Sequence, residues 1–509
     1  MYNKTDIILI FPSMTEEERL NISKKSRNYS NKKQTKIRYG LLPPLGITYL
    51  AAYIRKFGFS PKIIDPIAME MDDSDILDFI KKTQAPVIGL SSLTSTYEIV
   101  VMLAKKIRKE FPDEILIVGG HHINLIKEKT LVGTPFDFAV LGEGELTLLD
   151  LMLFFQSHNY ERKEILQKTE ELKKILGIFY REYKQIETIE LTSINTDSNS
   201  VYFTGKRPLI SDLNEVPMPA RDLLPMHKYI PLPIEYKRLP AAHVMISRGC
   251  PFNCTYCSTH AAFGYKVRYK SPENVIDEIR YLQKNYKVRQ ISFWDDTLTI
   301  NRKWMEMFCT LLIESKINIL WNCYAHVTTV DYQLLKLMKK AGCFCVWYGI
   351  ESGNEDLLKI IRKHSDLKVI KKAVRDTQKA GIEIRGLFML GLPGETAEKA
   401  LKTINFAIEL DLDYAQFTLT TPHIGTQLYD DAKNYGTLIE DHSRFTQSEA
   451  VFTPYGYKNT QELLAIRRKA YIKFYMRPRY IFKFIAKIHS WEDIKRLLSG
   501  TKLFLKISE

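Results

Sequence analysis

Short apolar runs alternate with helix-like segments along this chain, and this alternation constrains its fold more than any other feature. A first series occupies residues 6–145, from DIILIF to DFAVLGEGE. A second series begins at HVMIS, residues 243–247, and ends at DYAQFTLTTP, residues 413–422. Strands that alternate with helices indicate parallel sheets, because each helix carries the chain back to the start of the next strand. A chain of 509 residues is too long for one core, so the two series predict separate domains.

The two series predict different kinds of α/β domain. We predict a doubly wound, Rossmann-like domain in residues 1–155, an interdomain linker in 156–240, a partial (β/α)6 barrel of the TIM type in 241–430 and a basic helical region in 431–509. In both kinds of sheet, ligands bind beyond the carboxyl ends of the strands. The chemistry is therefore expected in the loops that follow the strands.

Three of the seven cysteines lie within eight residues, in SRGCPFNCTYCSTH. Cys250, Cys254 and Cys257 follow the first strand of the second series. Three thiolates can hold three irons of a [4Fe–4S] cluster and leave the fourth iron open, as catalytic metal sites do. Structural zinc is the alternative, and it would need a fourth ligand such as His260. We interpret the remaining cysteines as small buried apolar residues, with Cys343 and Cys345 on one face of a strand.

Charge and hydropathy limit the location and the partners. The net charge is +14, of which residues 13–40 contribute +5 and residues 461–509 contribute +8. Neither a secretory signal nor an apolar run of about 18 residues is present, which predicts a cytoplasmic protein. The basic C-terminal segment predicts either a helix pair packed on the barrel, which we favour, or a peripheral helix on a membrane surface that presents lipid-like substrates. A zinc-stabilised protein that binds nucleic acid is a remote alternative, and we expect no nucleic acid.

The CxxxCxxC loop after a first barrel strand resembles the radical S-adenosylmethionine (radical SAM) superfamily. FWDDTLT, YGIESGNE and FMLGLPGET resemble the segments that follow later strands of its barrel, and TPHIGTQLY resembles a TPxPGTxLY segment, which leaves the role of His423 open. The resemblance implies that Cys250, Cys254 and Cys257 bind [4Fe–4S], whose open iron chelates S-adenosylmethionine. It also implies contacts with S-adenosylmethionine from a further set of residues, namely Tyr256, Glu351, Ser352, Arg385 and Gly391.

The first series resembles the cobalamin-binding domain that precedes this barrel in one branch of the superfamily. The motifs are PPLGITYLAAYIRKFGF, VIGLSSLTS, VGGHHINL and VLGEGELT. The DxHxxG motif that ligates cobalt in some cobalamin proteins is absent, so we expect an unliganded or water-liganded lower face, with His121 or His122 as alternative ligands. Glu143 and Glu145 have a second interpretation as carboxylates at a helix N-terminus. The resemblance implies that cobalamin contacts Ser91, Ser92, Gly119, Gly120, His121, Gly142 and Glu143.

The resemblance to this branch implies a class of reaction. Its common chemistry is transfer of a methyl group from methylcobalamin to an unactivated carbon, or to phosphorus, of a substrate radical made by the 5′-deoxyadenosyl radical. The alternatives are a cobalamin-dependent cyclase or rearrangement enzyme, and a radical SAM enzyme whose cobalamin domain is not functional. A methylthiotransferase is disfavoured, because that family has three further cysteines in its first domain and Cys250 is the first cysteine here. We expect a small-molecule or lipid-like substrate and a reducing partner such as flavodoxin or ferredoxin, and we assign no catalytic residue.

Overall fold

The computed structural model describes residues 5–12, 39–181, 201–446 and 448–485, and the chain divides into two compact units. Unit 1 runs to Tyr229 and unit 2 begins at Ile230, except that residues 39–42 belong to unit 2 and residues 261–263 to unit 1. Each unit contains a largely parallel sheet, and helices follow the second sheet. The predicted fold class is confirmed.

The described residues of unit 1 are built on a seven-stranded sheet. Its strands are β1 (Ile7–Ile10), β2 (Pro61–Ile64), β3 (Val87–Ser91), β4 (Ile115–Gly119), β5 (Phe138–Val140), β6 (Ile178–Arg181) and β7 (Val201–Phe203). The order is β2-β1-β3-β4-β5-β6-β7, with parallel pairing as far as β5 and antiparallel pairing of β6 and β7. All four residues of β1 are buried, as expected for a parallel strand covered on both faces.

Helices connect the parallel strands of unit 1. A capping box formed by Asp72 and Asp75 starts one of them, because each carboxylate accepts a hydrogen bond from the other residue's backbone N–H at 3.0 Å. This helix buries Ile76 and Ile80 and leaves its charged residues outside. The helices are α1 (Leu45–Arg55), α2 (Pro66–Met69), α3 (Asp73–Thr83), α4 (Tyr97–Glu110), α5 (Ile123–Ile126), α6 (Gly144–Ser157), α7 (Arg162–Gln167) and α8 (Thr169–Leu172).

The segment predicted as an interdomain linker, residues 156–240, contributes structure to unit 1. It supplies β6 and β7, which pair antiparallel although 19 residues, 182–200, separate them outside the described part of the chain. Further along, the Tyr229 hydroxyl donates to the buried Asp65 carboxylate at 2.8 Å. The segment ILGIFYREYKQI, residues 175–186, predicts a pair of hairpin strands, and β6 lies within it, whereas its residues after 181 are outside the described part of the chain. The pairing of β6 with β5 was not expected, because the sequence of a short strand does not show which strand it pairs with. The boundaries of the four predicted regions, 1–155, 156–240, 241–430 and 431–509, remain a proposal.

In unit 2, the part of the chain that the structure describes forms a six-stranded parallel sheet. Its strands are β8 (Ala241–Val244), β11 (Gln290–Phe293), β12 (Leu320–Ala325), β13 (Cys343–Glu351), β14 (Glu383–Leu390) and β15 (Tyr414–Leu419). Each strand pairs with the next one along the chain, and β8 and β15 are the two edges. This consecutive order is that of a partial barrel, as predicted. Two small antiparallel pairs complete the unit, β9 (Ser247–Arg248) with β10 (Arg268–Tyr269) and β16 (Gly436–Leu438) with β17 (Phe452–Pro454).

Helices separate the barrel strands and follow the last of them. The sheet residues that face these helices form one large buried core with them. The helices are α9 (Thr259–Phe263), α10 (Pro272–Tyr286), α11 (Arg302–Glu314), α12 (Tyr332–Lys340), α13 (Glu355–Ile360), α14 (Leu367–Lys379), α15 (Ala397–Glu409), α16 (Gln427–Tyr435), α17 (Thr460–Tyr475) and α18 (Pro478–Ile485).

The C-terminal helices cover an edge of the barrel sheet. The Tyr475 hydroxyl hydrogen-bonds both the N–H and the carbonyl of Ala415 in β15, and the Tyr471 hydroxyl does the same at Phe417. These two tyrosines, one helical turn apart, replace the neighbouring strand that an edge strand lacks. The packing that we favoured for this segment is observed over residues 460–483.

The isolated cysteines are buried, as expected, but Cys343 and Cys345 do not share a face. Cys343 packs into the main core, whereas Cys345 packs with Phe344 and Trp347 in a separate cluster. The pairing of β12 with β13 shifts register between Trp321 and the next residue, so the alternation of faces is interrupted there. The expectation of a shared face is therefore wrong.

Candidate active site

The three-cysteine loop lies beyond the carboxyl end of β8, the first strand of the partial barrel. Cys250 is buried, and Cys254 and Cys257 are partly exposed. This is the end of the sheet at which barrel enzymes carry their chemistry. The predicted position of the loop relative to the strands is observed.

Asp295 holds the start of the loop from the neighbouring strand end. Its Oδ1 atom accepts hydrogen bonds from the backbone N–H groups of Ile246 and Ser247 and from the Ser247 hydroxyl, the first at 2.9 Å and the last at 2.6 Å. Asp295 follows β11 after one residue and is fully buried. Burial raises the pKa of this carboxyl to about 7, although the bonds to Ser247 and Ile246 lower it.

Two other segments hold the middle of the loop. The Thr255 N–H donates to the Ile361 carbonyl at 3.1 Å, and the Thr255 carbonyl accepts from the Leu428 N–H at 2.9 Å. Leu428 belongs to the TPHIGTQLY segment, in which the His423 carbonyl accepts from the Thr426 hydroxyl at 2.6 Å. TPHIGTQLY and FWDDTLT, two segments that the resemblance picked out separately, therefore both contact the cysteine loop or the residues just before it, through Leu428 and Asp295.

His260, the residue that the zinc alternative would need as a fourth ligand, makes two contacts close to the cysteine loop. Its Nε2 atom lies 3.0 Å from the Cys250 carbonyl oxygen and donates to it, because a carbonyl oxygen only accepts. Its ring also stacks on Tyr265 at a centroid distance of 3.9 Å. Nε2 is thus used in the fold of the loop, and His260 could bind a metal only through Nδ1.

A buried polar network joins the loop to the end of β13. The Tyr256 hydroxyl donates to Glu351 Oε1 at 2.9 Å, and Lys363 Nζ donates to the same oxygen at 2.9 Å. Lys363 Nζ also lies 3.4 Å from the Tyr256 hydroxyl. A β-carbon on Gly349 would lie 2.5 Å from Glu351 Oε1 and 2.8 Å from Lys363 Nζ, so a side chain at this position would displace the ends of both side chains.

Local backbone structure places Lys363. Helix α13 ends in a Schellman motif, in which Arg362 is left-handed at φ +52° and the Lys363 N–H donates to the Leu358 carbonyl at 2.9 Å. Lys363 was not among the residues predicted for the site. A lysine in a charged stretch such as IRKHSD has no sequence signal for burial, and only its contact with Glu351 reveals its role.

The charges around the cysteines fit a cationic metal cluster. Burial raises the pKa of Cys250 to about 11, and the negative charges of Asp296 and the other two cysteines add to the rise, against a backbone hydrogen bond at Phe252 that lowers it. Burial also raises the pKa of Cys254. Without a metal Cys250 is therefore a thiol, and iron would displace its proton. In the described part of the chain no three His, Cys, Asp or Glu side chains gather closely enough for a single metal ion, so the fit rests on the donor set and its charges.

The remaining residues predicted to contact S-adenosylmethionine fall into two groups. Gly391 directly follows β14, at the same end of the sheet as the cysteine loop. Ser352 is fully buried, and its hydroxyl lies 3.1 Å from that of Thr403 in α15. Arg385 is the third residue of β14, near the opposite end of that strand, where its guanidinium stacks on Trp347 at 4.4 Å and lies 3.4 Å from Glu235. All three assignments remain predictions.

Glu395 organises the loop that contains Gly391. Its Oε2 atom accepts the N–H groups of Gly391 and Leu392 at 2.6 and 2.8 Å, and the side chain is fully buried. Burial raises the pKa of this carboxyl to about 8, although the two backbone hydrogen bonds lower it. The folded protein therefore binds a proton here that the unfolded chain releases at lower pH.

This proton predicts a pH dependence of stability. The pKa of Glu395 is 4.5 in the unfolded chain and about 8 in the folded protein. As the pH rises from 4.5 to 8, the unfolded chain therefore releases this proton first, and the folded protein loses stability over that pH range. We expect the free energy of unfolding of the wild type to fall by about 2 kcal/mol or more relative to Glu395→Gln, whose amide cannot ionise. Urea unfolding of both proteins at several pH values across the window measures this difference. Parallel pH curves for the two proteins would contradict it.

The residues predicted to contact cobalamin line the carboxyl edge of the sheet in unit 1. A β-carbon on Gly120, whose φ is +106°, would lie 2.6 and 2.7 Å from the backbone oxygen and nitrogen of Ser92. The backbone of Gly119 and Gly120 is therefore in close contact with the backbone of Ser92 at this edge. The Ser92 N–H donates to the Gly119 carbonyl at 2.9 Å. Ser91 ends β3, Gly119 ends β4, and His121 follows the glycine pair.

The other residues considered for cobalamin binding make contacts within unit 1. Glu143 Oε2 accepts the Ile210 N–H at 2.7 Å, and the Gly142 N–H donates to Asn124 Oδ1 at 2.6 Å. His122 is buried with Nδ1 at 3.1 Å from the Thr94 hydroxyl. Burial lowers the pKa of His121, which keeps the ring neutral, the form that binds metals. The cobalamin contacts remain predictions.

Comparison with known proteins gives two family matches and three relevant relatives. Residues 37–152 match the B12 binding domain, and residues 244–407 match the radical SAM superfamily. An uncharacterized methyltransferase of Pyrococcus horikoshii is 35% identical over 460 residues, 90% of this chain and 93% of that protein. The anaerobic magnesium-protoporphyrin IX monomethyl ester cyclase of Rubrivivax gelatinosus is 27% identical over 92% of this chain and 79% of that protein. The solved structure of OxsB, a cobalamin-dependent S-adenosylmethionine radical enzyme, shares the fold with a TM-score of 0.69 at 16% identity, over 99% of this chain and 72% of OxsB.

A partial barrel with a three-cysteine loop at its carboxyl end, matched by the superfamily model, defines a radical SAM enzyme. With its B12 binding domain, the chain belongs to the cobalamin-dependent branch of that superfamily. Its cofactors are a [4Fe–4S] cluster, S-adenosylmethionine and cobalamin, as predicted.

Proposed function

We propose that this protein is a methyltransferase that moves a methyl group from cobalamin to an unactivated carbon or phosphorus of a small-molecule substrate, through a substrate radical. The observation that carries the proposal is the pairing of a B12 binding domain with a radical SAM barrel in one chain. The 35% identical relative from Pyrococcus horikoshii, matched along nearly its whole length, is named a methyltransferase.

Residues of unit 2 would bind the cluster and S-adenosylmethionine. Cys250, Cys254 and Cys257 would hold three irons, while Glu351 and Tyr256 would contact S-adenosylmethionine at the open one. When bound, the cluster supplies the electron that cleaves S-adenosylmethionine, and cobalamin carries the methyl group. The burial of Glu351 keeps water away from its side chain, which suits a reaction in which a radical must not meet solvent.

In unit 1 the backbone makes the binding surface. Gly119 and Gly120 present main chain without side chains at the sheet edge, which lets a flat, wide corrin approach closely. Ser91 and Ser92 add small side chains on the neighbouring strand. The nucleotide tail of cobalamin would lie along this edge, at the carboxyl ends of the strands.

Labelled S-adenosylmethionine tests the proposal. The protein is reconstituted anaerobically with iron, sulfide and cobalamin, then given methyl-deuterated S-adenosylmethionine, a one-electron reductant and the small-molecule fraction of a cell extract. We expect a product that carries the deuterated methyl group, and none with a Cys254→Ala variant prepared in parallel. Consumption of S-adenosylmethionine and of substrate without transfer of the label would contradict methyl transfer.

Cyclisation is a second candidate function. The relative from Rubrivivax gelatinosus, matched over 92% of this chain, is named a cyclase. The same experiment separates the two, because cyclisation leaves the methyl label in the S-adenosylmethionine products and gives a substrate-derived product without it.

We further propose that this protein is cytoplasmic and that it receives electrons from a flavodoxin or a ferredoxin. Within the described residues, no helix has both the length and the apolar character needed to cross a membrane. In α17, Leu463, Ala470 and Phe474 are buried, which favours packing over binding to a membrane surface. A lipid-like substrate remains compatible with this arrangement.

A further inference from the structure

Arg385 is a buried cation on the inner face of the barrel sheet. In β14, Ile384 and Phe388 belong to the core that the sheet forms with its helices, and each lies an odd number of positions from Arg385. Because side chains alternate between the two faces of a strand, Arg385 lies on the face away from the helices, which is the inside of a barrel. Only 2% of the residue is exposed. A charge buried to this degree needs partners for its N–H donors.

The partner of Arg385 uses only one edge of its guanidinium. Nη1 lies 3.4 Å from Glu235 Oε1, which is long for a hydrogen bond between charged groups, usually about 2.8 Å. The other oxygen of Glu235 accepts the Leu232 N–H at 3.2 Å, which holds the carboxylate on its own segment. Nε of Arg385 is buried and makes no hydrogen bond to any residue that the structure describes. The edge formed by Nε and Nη2 is one that can hold an oxyanion through two parallel hydrogen bonds.

Aromatic side chains on the neighbouring strands flank this guanidinium. Trp347 pairs with Arg385 in register, and the centre of its ring lies 4.4 Å from the guanidinium carbon. Tyr324 pairs in turn with Trp347, and the two rings meet edge to face at 4.7 Å. Stacking on a ring leaves the N–H groups at the rim of the guanidinium plane available for hydrogen bonds. The three residues therefore form a row across three strands, with the cation at one end.

The other end of this row lies close to the cysteine loop. His326 follows Tyr324 by two residues, which is about 7 Å in an extended chain. The His326 ring stacks on Phe252, a residue of the cysteine loop, at a centroid distance of 4.0 Å. A small molecule held at Arg385 by one end can therefore present its other end to the loop.

We propose that Arg385 binds an oxyanion of the substrate, a carboxylate or a phosphate-type group, through the Nε–Nη2 edge of its guanidinium. This inference rests on the proposed function, because it concerns the substrate of that methyl transfer. The charge fixes one end of the substrate, and the aromatic row contacts its apolar part, as in sites where a few polar groups set the orientation of a ligand. The substrate class is thus an acidic small molecule.

A purely structural role for Arg385 makes a different prediction. If the arginine only compensates the Glu235 carboxylate, the neutral pair in Arg385→Met with Glu235→Gln restores the native affinity for substrate. If the arginine binds substrate, the double variant is as poor as the single one. Lys237→Met is the matched control, because the Lys237 ammonium belongs to the same segment as Glu235 and already pairs with Glu383 at 2.9 Å. We expect this control to keep the native affinity.

The test uses the labelled-methyl assay with the small-molecule extract separated on an anion-exchange resin at about pH 11. Amines are largely uncharged at that pH, so zwitterions are retained together with other oxyanions. We expect labelled product from the retained fraction, whereas a substrate in the unretained fraction would overturn the proposal. Treatment of the retained fraction with alkaline phosphatase then distinguishes the two sources of the oxyanion. Loss of the product identifies a phosphate monoester, and an unchanged product identifies a carboxylate or a phosphonate.

A dilution series of the retained fraction gives the concentration at half-maximal rate for each variant. We expect this concentration to rise about thirtyfold in Arg385→Met and in the double variant, since bonds between charged groups are lost. We expect a smaller rise in Arg385→Lys, which keeps the charge but not the two parallel donors. An unchanged Arg385→Met, or a double variant with the wild-type value, would overturn the proposal. So would a rise in the half-saturating concentration of S-adenosylmethionine in place of that of the substrate, which would assign Arg385 to the cofactor.

Failure of this inference and failure of the proposed function give different results. Iron, sulfide and corrin contents are measured first on every protein, and Arg385→Lys stays informative if Arg385→Met assembles poorly. An unfractionated extract that gives no labelled product refutes the proposed function. Labelled product that comes from the unretained fraction refutes only this inference.

Discussion

Replacement of Cys254 by alanine is expected to remove the iron–sulfur cluster and reduce turnover to the background of cluster-free protein. Two thiolates cannot hold the cluster that three hold, and the position lies between two segments that fix the loop. Iron and acid-labile sulfide analysis, the absorbance near 400 nm and the cleavage of S-adenosylmethionine measure the loss.

Cys323→Ala is the matched control. Cys323 is fully buried in the core of unit 2 within β12, so the variant is expected to lose about 1 kcal/mol of stability and to keep its cluster. A Cys254→Ala protein with a full sulfide content and wild-type turnover would refute the assignment of the loop.

Gly120→Ala is expected to abolish cobalamin binding and to destabilise unit 1 by about 3 kcal/mol. An added methyl group would overlap the Ser92 backbone, in a conformation at φ +106° that residues with a β-carbon rarely adopt. The edge on which the corrin is proposed to lie must then open. Retention of the corrin absorption bands after gel filtration measures binding, and thermal unfolding measures stability.

Gly133→Ala is the control that separates the effect of backbone strain from the effect of a disrupted cobalamin-binding edge. Gly133 also has a positive φ, +66°, but no atom lies within 4 Å of an added β-carbon. We expect this variant to lose about 1 kcal/mol and to bind cobalamin normally. Equal loss of the corrin from both variants would show that the effect of Gly120 is not local to the sheet edge.

Both sheets could be predicted from sequence because their strands are continuous apolar runs. The run CFCVWYGIES, residues 343–352, predicts a strand, and β13 occupies Cys343–Glu351. The same regularity fails at Cys345, where a change of register sends the side chain to the other face. A bulge depends on how two strands pair, and the sequence of one strand does not contain that information.

The candidate site was predictable in part for a similar reason. The three cysteines are close in sequence, so their spacing alone predicts a cluster loop. Asp295 and Lys363 support that loop from positions far along the chain. Asp295 lies in FWDDTLT, which the resemblance picked out without giving this residue a role, and Lys363 resembles an ordinary charged surface residue in sequence. Their burial and their partners, Ser247 and Glu351, become visible only after the strands are assembled.

The sequence by itself determined the two α/β series and the strand ends at which the candidate site lies, and it predicts the thiolate ligands, because these follow from patterns within short stretches. The tertiary structure decided which distant charges lie next to the cysteines, that β6 and β7 extend the first sheet, and that tyrosines cover the edge of the second. These features depend on interactions between residues as much as 107 positions apart, such as Tyr256 and Lys363. Their energies depend on burial and distance, and both are properties of the folded chain.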